Sequence, residues 1–244
     1  MPRVAVSIPA RWGSTRFPGK PLHLIAGKPM VQHVWERCRL AAGVAEAIVA
    51  TDDPRIADAA RLFGAEVEMT RSSHVSGTDR CAEVAARRAD VSHVINVQGD
   101  EPLVDPELVS RLAGCLLADA GIEMITAAHV IQDEAEIGNP NVVKVVFDRD
   151  GDALYFSRSA IPFVRGGGTV YRHLGIYGYS AGFLRRFVEW QPGVLEQAEQ
   201  LEQLRALENG GRIRVVLTKG GSFGVDTLED VAVVERIFGP QREA

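Results

Sequence analysis

The chain has 244 residues, of which 46% are hydrophobic and 24% are charged, and this balance is typical of a globular protein with a sizeable buried core. The formal net charge of -5 excludes a general basic field of the kind that nucleic-acid binding requires, so any contact with phosphate must be local. Cys38, Cys81 and Cys115 are odd in number and lie in apolar stretches, which favours reduced core thiols over disulfides or a metal site.

The sequence contains no segment that is typical of a membrane protein. Its longest apolar stretch, residues 122–131, is interrupted by Glu123 and His129. The N-terminus carries no apolar signal segment. We therefore expect no membrane insertion and a cytoplasmic location.

The first half alternates short β-branched runs with longer amphipathic segments. The predicted strands are residues 4–8, 47–50, 66–69 and 93–97, and the predicted helices are residues 31–40, 56–63, 79–88 and 106–117. This alternation is typical of βαβ units. It predicts an α/β fold with a doubly wound, mostly parallel, Rossmann-like sheet that binds its ligand at the carboxyl ends of the early strands.

The second half has a different pattern. Strand-like runs at residues 142–147, 153–157 and 174–179 are separated by a turn at residues 148–152 and by the glycine-rich loop Gly166–Gly168, which predicts antiparallel strands. Helices are predicted at residues 181–190, 195–207 and 227–237, and a strand at residues 213–218. Because no linker or repeat divides the chain, we expect one domain over residues 1–244, with the second half forming a lobe over the sheet.

The loop after the first predicted strand concentrates positive charge. Arg11, Arg16 and Lys20 lie within ten residues that also contain two glycines. Such a strand-to-helix loop can direct backbone N–H groups and cations at phosphate. It is not a Walker A loop, because Lys20 is followed by Pro21. Composition alone leaves open a basic surface loop with no ligand.

This loop resembles the signature of the sugar-activating nucleotidyltransferases, and in detail that of the 3-deoxy-D-manno-octulosonate (Kdo) cytidylyltransferases. The resemblance continues in order along the chain, at residues 49–52, 70–80, 96–102, 139–144, 154–158, 172–179, 201–205 and 224–227. It implies transfer of CMP from CTP to Kdo with release of pyrophosphate, for lipopolysaccharide biosynthesis. It also implies a Mg²⁺ cofactor and a homodimer, with no nucleic acid or membrane as partner.

The resemblance divides the chain by role. It implies a nucleotide-binding part at about residues 1–130, a sugar-binding and dimerisation lobe at about 131–220, and a metal-ligand loop with a terminal helix at 221–244. Asp100 follows the buried run 94–97 by a Gln-Gly step, which predicts a carboxylate at a strand end. Magnesium typically takes one or two protein carboxylates, so Asp100 is a candidate metal ligand. The resemblance implies Asp226 as the second, and a helix N-cap is the alternative for Asp226.

Residues 71–80 combine hydroxyls, a glycine and two arginines before a predicted helix, and such a loop can read a pyrimidine by hydrogen bonds. The resemblance places the base against Pro9 and Ala10. It implies further nucleotide contacts from Arg11, Ser14, Arg16, Lys20, Arg71, Ser76, Gly77, Gln98 and Asp100. It implies sugar contacts from Arg158, His173, Tyr179, Glu202 and Gln203. Each sugar residue has an ordinary alternative, such as a core aromatic for Tyr179 or a solvated helix position for Glu202.

The expected reaction is attack of the anomeric 2-hydroxyl of Kdo on the α-phosphorus of CTP. Arg11, Arg16 and Lys20 would stabilise the leaving pyrophosphate, and Asp100 and Asp226 would hold Mg²⁺. Three alternatives remain at this point: a cytidylyltransferase for sialic acid or 8-amino-Kdo, a metal-dependent glycosyltransferase, and a nucleotide sensor without activity. For the Kdo cytidylyltransferase reaction, we expect the catalytic residues to be Arg11, Lys20, Asp100 and Asp226.

Overall fold

The computed structural model describes residues 2–13, 17–220 and 223–239. Its strands are β1 (Val4–Pro9), β2 (Leu24–Ile25), β3 (Lys28–Pro29), β4 (Val44–Thr51), β5 (Glu66–Met69), β6 (His93–Asn96), β7 (Met124–Val130), β8 (Lys144–Phe147), β9 (Ala153–Ser157), β10 (Tyr171–Ser180) and β11 (Ile213–Leu217). Its helices are α1 (Met30–Arg39), α2 (Pro54–Leu62), α3 (Gly77–Arg87), α4 (Pro106–Ala118), α5 (Glu134–Ile137), α6 (Ala181–Glu189), α7 (Val194–Glu199), α8 (Leu204–Glu208) and α9 (Leu228–Phe238).

A central sheet has the strand order β11-β7-β10-β6-β1-β4-β5, and β8 and β9 extend it from β10. Strand β1 pairs in parallel with β4 and β6, and β4 pairs in parallel with β5. Strand β10 runs antiparallel to both β6 and β7, and β8 and β9 form an antiparallel pair. The predicted α/β class is confirmed: a mostly parallel sheet carries an antiparallel part from the second half.

Helices cover both faces of this sheet. Successive strand residues point to opposite faces, so Val6 packs with Val34 of α1 and Leu112 of α4, whereas Ala5 joins the cluster that contains Phe183 of α6. Both clusters consist of side chains that are almost fully buried. Because β1 has apolar side chains on both of its faces, helices pack on both faces of the sheet, which gives the doubly wound arrangement.

Helix α9 packs elsewhere, against the β2–β3 hairpin. A separate apolar cluster contains Ile25, Met30, Val225, Val231 and Val234. This cluster fixes the residues just before α9 beside the 3₁₀ turn at Lys20–Leu22.

The sequence analysis missed one strand and made one wrong helix prediction. No strand was predicted in the apolar run 122–131, yet Met124–Val130 forms β7. Glu123 lies before this strand and His129 lies near its end, so neither interrupts the buried residues. The single helix predicted at residues 195–207 is wrong: α7 ends where Gln200 takes a left-handed conformation with φ of 53°, and α8 begins four residues later.

Across the residues that the structure describes, no helix is long and apolar enough to cross a membrane.

Candidate active site

A cleft of about 460 Å³ opens where β1 and β6 end. These strands are parallel neighbours, with Ser7 opposite Asn96, so the residues that follow them meet at one edge of the sheet. The cleft is lined by Pro9, Ala10, Arg11, Gly13, Lys20, Pro21, His74, Val75, Ser76, Gly77, Arg80, Gln98, Gly99, Asp100 and Asp226. Nine of the residues that the sequence analysis assigned to the nucleotide or the metal are among them.

Glycine lets two backbone segments approach in the floor of the cleft. A Cβ atom at Gly99 would lie 2.8 Å from the carbonyl oxygen of Pro9, which is closer than real Cβ contacts allow. The N–H of Gly99 donates to that same oxygen over 3.3 Å. The floor therefore requires a residue without a side chain at position 99.

The loop after β1 is folded back on itself. The N–H of Gly19 donates to the carbonyl of Trp12 over 3.1 Å, and Gly19 has a left-handed φ of 73°. The guanidinium of Arg55 lies 3.5 Å from the centre of the Trp12 ring, so the ring is held between the loop and the start of α2. Arg11 is exposed and lines the cleft. Ser14 and Arg16, which were predicted to contact the nucleotide, lie outside the described residues.

Lys20 joins the two predicted metal ligands. Its Nζ donates to Asp100 Oδ2 over 2.5 Å, to Asp226 Oδ1 over 3.2 Å and to the carbonyl of Val225 over 2.9 Å. Only 11% of the Lys20 side chain is exposed, whereas 35% of Asp100 and 59% of Asp226 are exposed. The structure thus brings together two carboxylates that are distant in the sequence and places one cation between them.

The donors at this point fit a hard divalent cation. Both carboxylates accept hydrogen bonds from the Lys20 ammonium, so their oxygens already surround a positive charge. Carboxylate oxygens are ligands that suit magnesium. Among residues 2–13, 17–220 and 223–239, no group of three or more His, Cys, Asp or Glu side chains could hold a metal. Two carboxylates meet magnesium's usual requirement, and they do not make a closed structural metal site.

The loop before α3 is fixed by a capping box. Ser76 Oγ accepts from the N–H of Asp79 over 3.1 Å, and Asp79 Oδ2 accepts from the N–H of Ser76 over 3.0 Å. Asp79 therefore serves the helix start, in line with its omission from the expected ligand contacts. Arg71 does not line the cleft: its side chain is 77% exposed, with Nε 3.9 Å from Glu83, in a groove between α3 and α6.

The sequence analysis missed Arg80, whose side chain is only 4% exposed and which lines the cleft. Its guanidinium lies 3.0 Å from Asp52 and donates to Thr70 Oγ1 over 2.6 Å. The signal for this residue was its spacing: Arg80 lies on the same helix face as Val84, which is buried. Arg80 therefore ties the start of α3 to the ends of β4 and β5.

Glu202 connects the predicted sugar residues to the loop before α3. Thr78 Oγ1 donates to Glu202 Oε2 over 2.5 Å. Burial raises the pKa of Glu202, although the hydrogen bond from Thr78 and the charge of Arg205 act in the opposite direction. The second half of the chain is thus attached directly to the nucleotide side of the cleft.

His173 and Tyr179 are both buried on β10. Burial lowers the pKa of His173 from its usual 6.5 to about 3, so this imidazole is neutral at physiological pH. Its Nε2 lies 3.0 Å from Thr126 Oγ1, in hydrogen-bonding contact. Tyr179 is 1% exposed and packs against Phe187.

Gln203 and Arg158 differ in how their donors are used. Gln203 is 4% exposed, and its Nε2 has no hydrogen-bond partner among the described residues. Arg158 donates from three nitrogens to the carbonyls of Glu199, Pro140 and Gln200. Arg158 therefore stabilises the loop around residue 200. Gln203 has a buried Nε2 that is available to donate a hydrogen bond.

Tyr177 is a second residue that the sequence analysis missed. Its ring lies between those of His173 and Tyr179, with centroid distances of 5.4 and 6.1 Å. Burial and the charge of Glu202 raise its pKa well above the usual value. The signal was the two-residue period of a strand, which places residues 173, 177 and 179 on one face of β10.

Comparison with known proteins gives consistent matches. Residues 5–213 match the family model described as Cytidylyltransferase. A 3-deoxy-manno-octulosonate cytidylyltransferase of Geobacter metallireducens is 52% identical over 96% of this chain and 98% of the relative. One of Solibacter usitatus is 51% identical over 98% of this chain and 96% of the relative. The structure of a CMP:2-keto-3-deoxy-manno-octonic acid synthetase complexed with CTP matches with a TM-score of 0.92 and 43% identity, over 97% of this chain and 98% of that one.

Proposed function

This chain belongs to the cytidylyltransferase family, and we propose that it transfers CMP from CTP to Kdo with release of pyrophosphate. The observation that carries the proposal is the arrangement of Lys20, Asp100 and Asp226 at a cleft built from the ends of β1 and β6. The names of the two relatives support Kdo as the acceptor, and the matching structure with CTP supports the nucleotide.

The proposed nucleotide site follows the lining of the cleft. The base lies against Pro9 and Ala10, within reach of Ser76, Gly77 and Gln98. Arg11 and Lys20 meet the triphosphate, together with Arg16. Arg71 lies outside the cleft in this structure, so we assign it a contact at the rim only once the nucleotide is bound.

Asp100 and Asp226 would hold Mg²⁺. When bound, this ion would supply positive charge to the α-phosphate and lower the pKa of a nearby hydroxyl. The exposed carboxylates suit this role, because magnesium keeps part of its shell for water and phosphate oxygens.

In the proposed reaction, the anomeric 2-hydroxyl oxygen of Kdo forms a bond to the α-phosphorus as the bond to the β-phosphate oxygen breaks. The hydroxyl proton passes to solvent water, and pyrophosphate leaves. Arg11 and Lys20 stabilise the negative charge that grows on the leaving group, and the strand ends hold the reactants in line. No covalent enzyme intermediate is needed.

The proposed sugar site uses Arg158, His173, Tyr179, Glu202 and Gln203. The low pKa of His173 makes it a neutral hydrogen-bonding group rather than a base that titrates near pH 7. The unpartnered Nε2 of Gln203 is a donor that a sugar hydroxyl can satisfy. These two observations support a polar acceptor in the second-half lobe.

We further propose that the enzyme acts as a homodimer in the cytoplasm and supplies lipopolysaccharide biosynthesis. Exposed apolar side chains in the second half support an interface: Leu154, Phe163 and Val194 are 62%, 88% and 79% exposed. Sedimentation equilibrium of the purified protein tests the dimer, and a monomer at micromolar concentration would refute it.

The decisive experiment measures pyrophosphate release with CTP and a panel of acceptors. We expect release with CTP and Kdo in the presence of Mg²⁺, and little with sialic acid, with 8-amino-Kdo or with UTP in place of CTP. Release with another acid sugar at higher kcat/KM would change the acceptor. CTP binding without pyrophosphate release from any acid sugar would favour the sensor, and sugar transfer from a nucleotide-sugar without pyrophosphate would favour the glycosyltransferase.

A further inference from the structure

We propose that Lys20 exchanges partners when ligands bind: its ammonium holds Asp100 and Asp226 together in the metal-free protein, and a bound triphosphate draws it away and frees both carboxylates for a divalent cation. This inference rests on the proposed function, because it needs a triphosphate in the cleft. It assigns Lys20 a positioning role that precedes its contact with phosphate.

The contacts of Lys20 compete with metal binding. Its Nζ lies 2.5 Å from Asp100 Oδ2 and 3.2 Å from Asp226 Oδ1, so a cation bridging these oxygens would occupy the same place. The lysine is held firmly, because only 11% of its side chain is exposed and a third bond goes to the carbonyl of Val225. A divalent ion that arrives alone must displace this ammonium.

The carboxylates stay in place without Lys20. The N–H of Val225 donates to the carbonyl of Asp100 over 2.8 Å, which joins the two ligand segments through their backbones. Val225 is fully buried in a cluster with Ile25 and Val234. Removal of the ammonium therefore leaves two neighbouring carboxylates without a shared cation, not a disordered loop.

The exchange makes nucleotide and metal bind cooperatively. A triphosphate without metal must pull Lys20 from the carboxylates and leave them to repel each other. A metal without triphosphate must displace the lysine. Each ligand removes the obstacle to the other, so their binding free energies are coupled through one side chain.

The first test measures Mn²⁺ binding to the nucleotide-free protein, titrated after treatment with EDTA and followed by electron paramagnetic resonance. We expect Lys20→Met to bind Mn²⁺ roughly tenfold more tightly than the unmodified chain, within the usual range of such couplings. The matched control is Lys28→Met, which removes an exposed lysine paired with Glu36 at 2.7 Å and should leave Mn²⁺ affinity unchanged. Equal or weaker Mn²⁺ binding by a folded Lys20→Met variant would overturn the proposal. If Lys20 were purely structural, its removal could only weaken Mn²⁺ binding.

The second test uses Asp226→Asn. The Asp226 side chain is 59% exposed and lies outside the core. This change weakens the hold on Lys20 and removes one of the repelling charges, so CTP binding in EDTA, measured by calorimetry, should tighten several-fold. Unchanged or weaker metal-free CTP binding would contradict the exchange, and this test decides the matter even when Lys20→Met does not fold.

Failure of the proposed function gives a different result. If the unmodified chain bound no CTP even with Mg²⁺, the cytidylyltransferase assignment would fail, while the Mn²⁺ titration of Lys20→Met would still report on the lysine. If pyrophosphate release proceeded normally and neither variant changed as expected, only the partner exchange would be wrong.

Discussion

Replacing Arg205 with methionine removes the cation from a buried ion pair. Its Nε and Nη2 donate to both carboxylate oxygens of Glu196, over 2.8 and 2.6 Å, and the two side chains are 11% and 12% exposed. Nη2 also lies 3.8 Å from Glu202, and the guanidinium lies 4.9 Å from the centre of the Phe187 ring. The variant therefore leaves the buried carboxylate of Glu196 without its cation, beside the partly buried carboxylate of Glu202.

Removal of one partner from a buried pair costs about 3–5 kcal/mol, because the remaining charge stays away from water. We expect a loss of this size in the free energy of unfolding, which for a chain of this length corresponds to a fall in Tm of roughly 10 °C. The matched control is Arg186→Met. Arg186 lies at the same distance, 2.6 Å, from Glu123, but these side chains are 51% and 47% exposed, so the cost should be about 0–1 kcal/mol.

Urea unfolding at pH 7, followed by circular dichroism, measures both losses. A double variant, Arg205→Met with Glu196→Met, should recover much of the deficit, since it removes the stranded charge. The pKa of Glu202 is already raised by burial, and loss of Arg205 raises it further, so the deficit should shrink as the pH falls and the carboxyl takes up a proton. Equal losses in Arg205→Met and Arg186→Met would refute the reasoning, because it attributes the larger loss to the burial of the Arg205–Glu196 pair.

Three further outcomes are expected. Asp100→Asn should lower the rate of pyrophosphate release at least about 100-fold with little change in Tm, because it removes a charge proposed to hold the metal; near-normal turnover would exclude that role. Gly99→Ala should raise the KM for CTP and cost about 1–3 kcal/mol of stability, since the new Cβ would lie 2.8 Å from the carbonyl oxygen of Pro9; an unchanged KM would show that the floor adjusts freely. The pKa of His173 is lowered to about 3 in the folded chain, whereas the unfolded chain takes up this proton near 6.5, so stability should fall as pH drops from 6.5 towards 4, by up to ~1.4 kcal/mol per pH unit, and His173→Gln should reduce that slope in pH-dependent unfolding.

The sequence predicted the parallel half of the fold well, because the relevant signals are local. Strand β1 is a continuous buried run, helix α1 shows a helical apolar period, and the position of Asp100 follows from the end of a buried run. The carboxyl ends of β1 and β6 form the cleft as expected. These are properties that a window of ten to fifteen residues contains.

The second half was harder because its structure depends on distant partners. Strand β10 lies between β6 and β7, and no local pattern specifies either neighbour. The break between α7 and α8 occurs at Gln200, which is left-handed without being glycine, so the sequence carries no turn signal there. The contact between Lys20 and Asp226 spans 206 positions and was reached by resemblance alone.

Within the site, the assignments differ in what supports them. The position of Asp100 follows from a strand end, and Pro9, Ala10 and Gln98 were assigned by resemblance, whereas Tyr177 and Arg80 were missed although their spacing marked them as inward-facing. Arg71 was assigned by resemblance and lies outside the cleft. Whether each of these residues contacts a ligand stays a prediction until the variants are measured.

The attachment of Val225 to Asp100 makes the acidic pair depend on contact between distant segments of the chain. Lys20, Asp100 and the parallel pair of β1 and β6 all belong to the first half of the chain. The second carboxylate, that of Asp226, belongs to a distant segment that Val225 and the apolar face of α9 hold in place. The acidic pair at the cleft therefore forms only once the segment before α9 has docked against the first half of the chain.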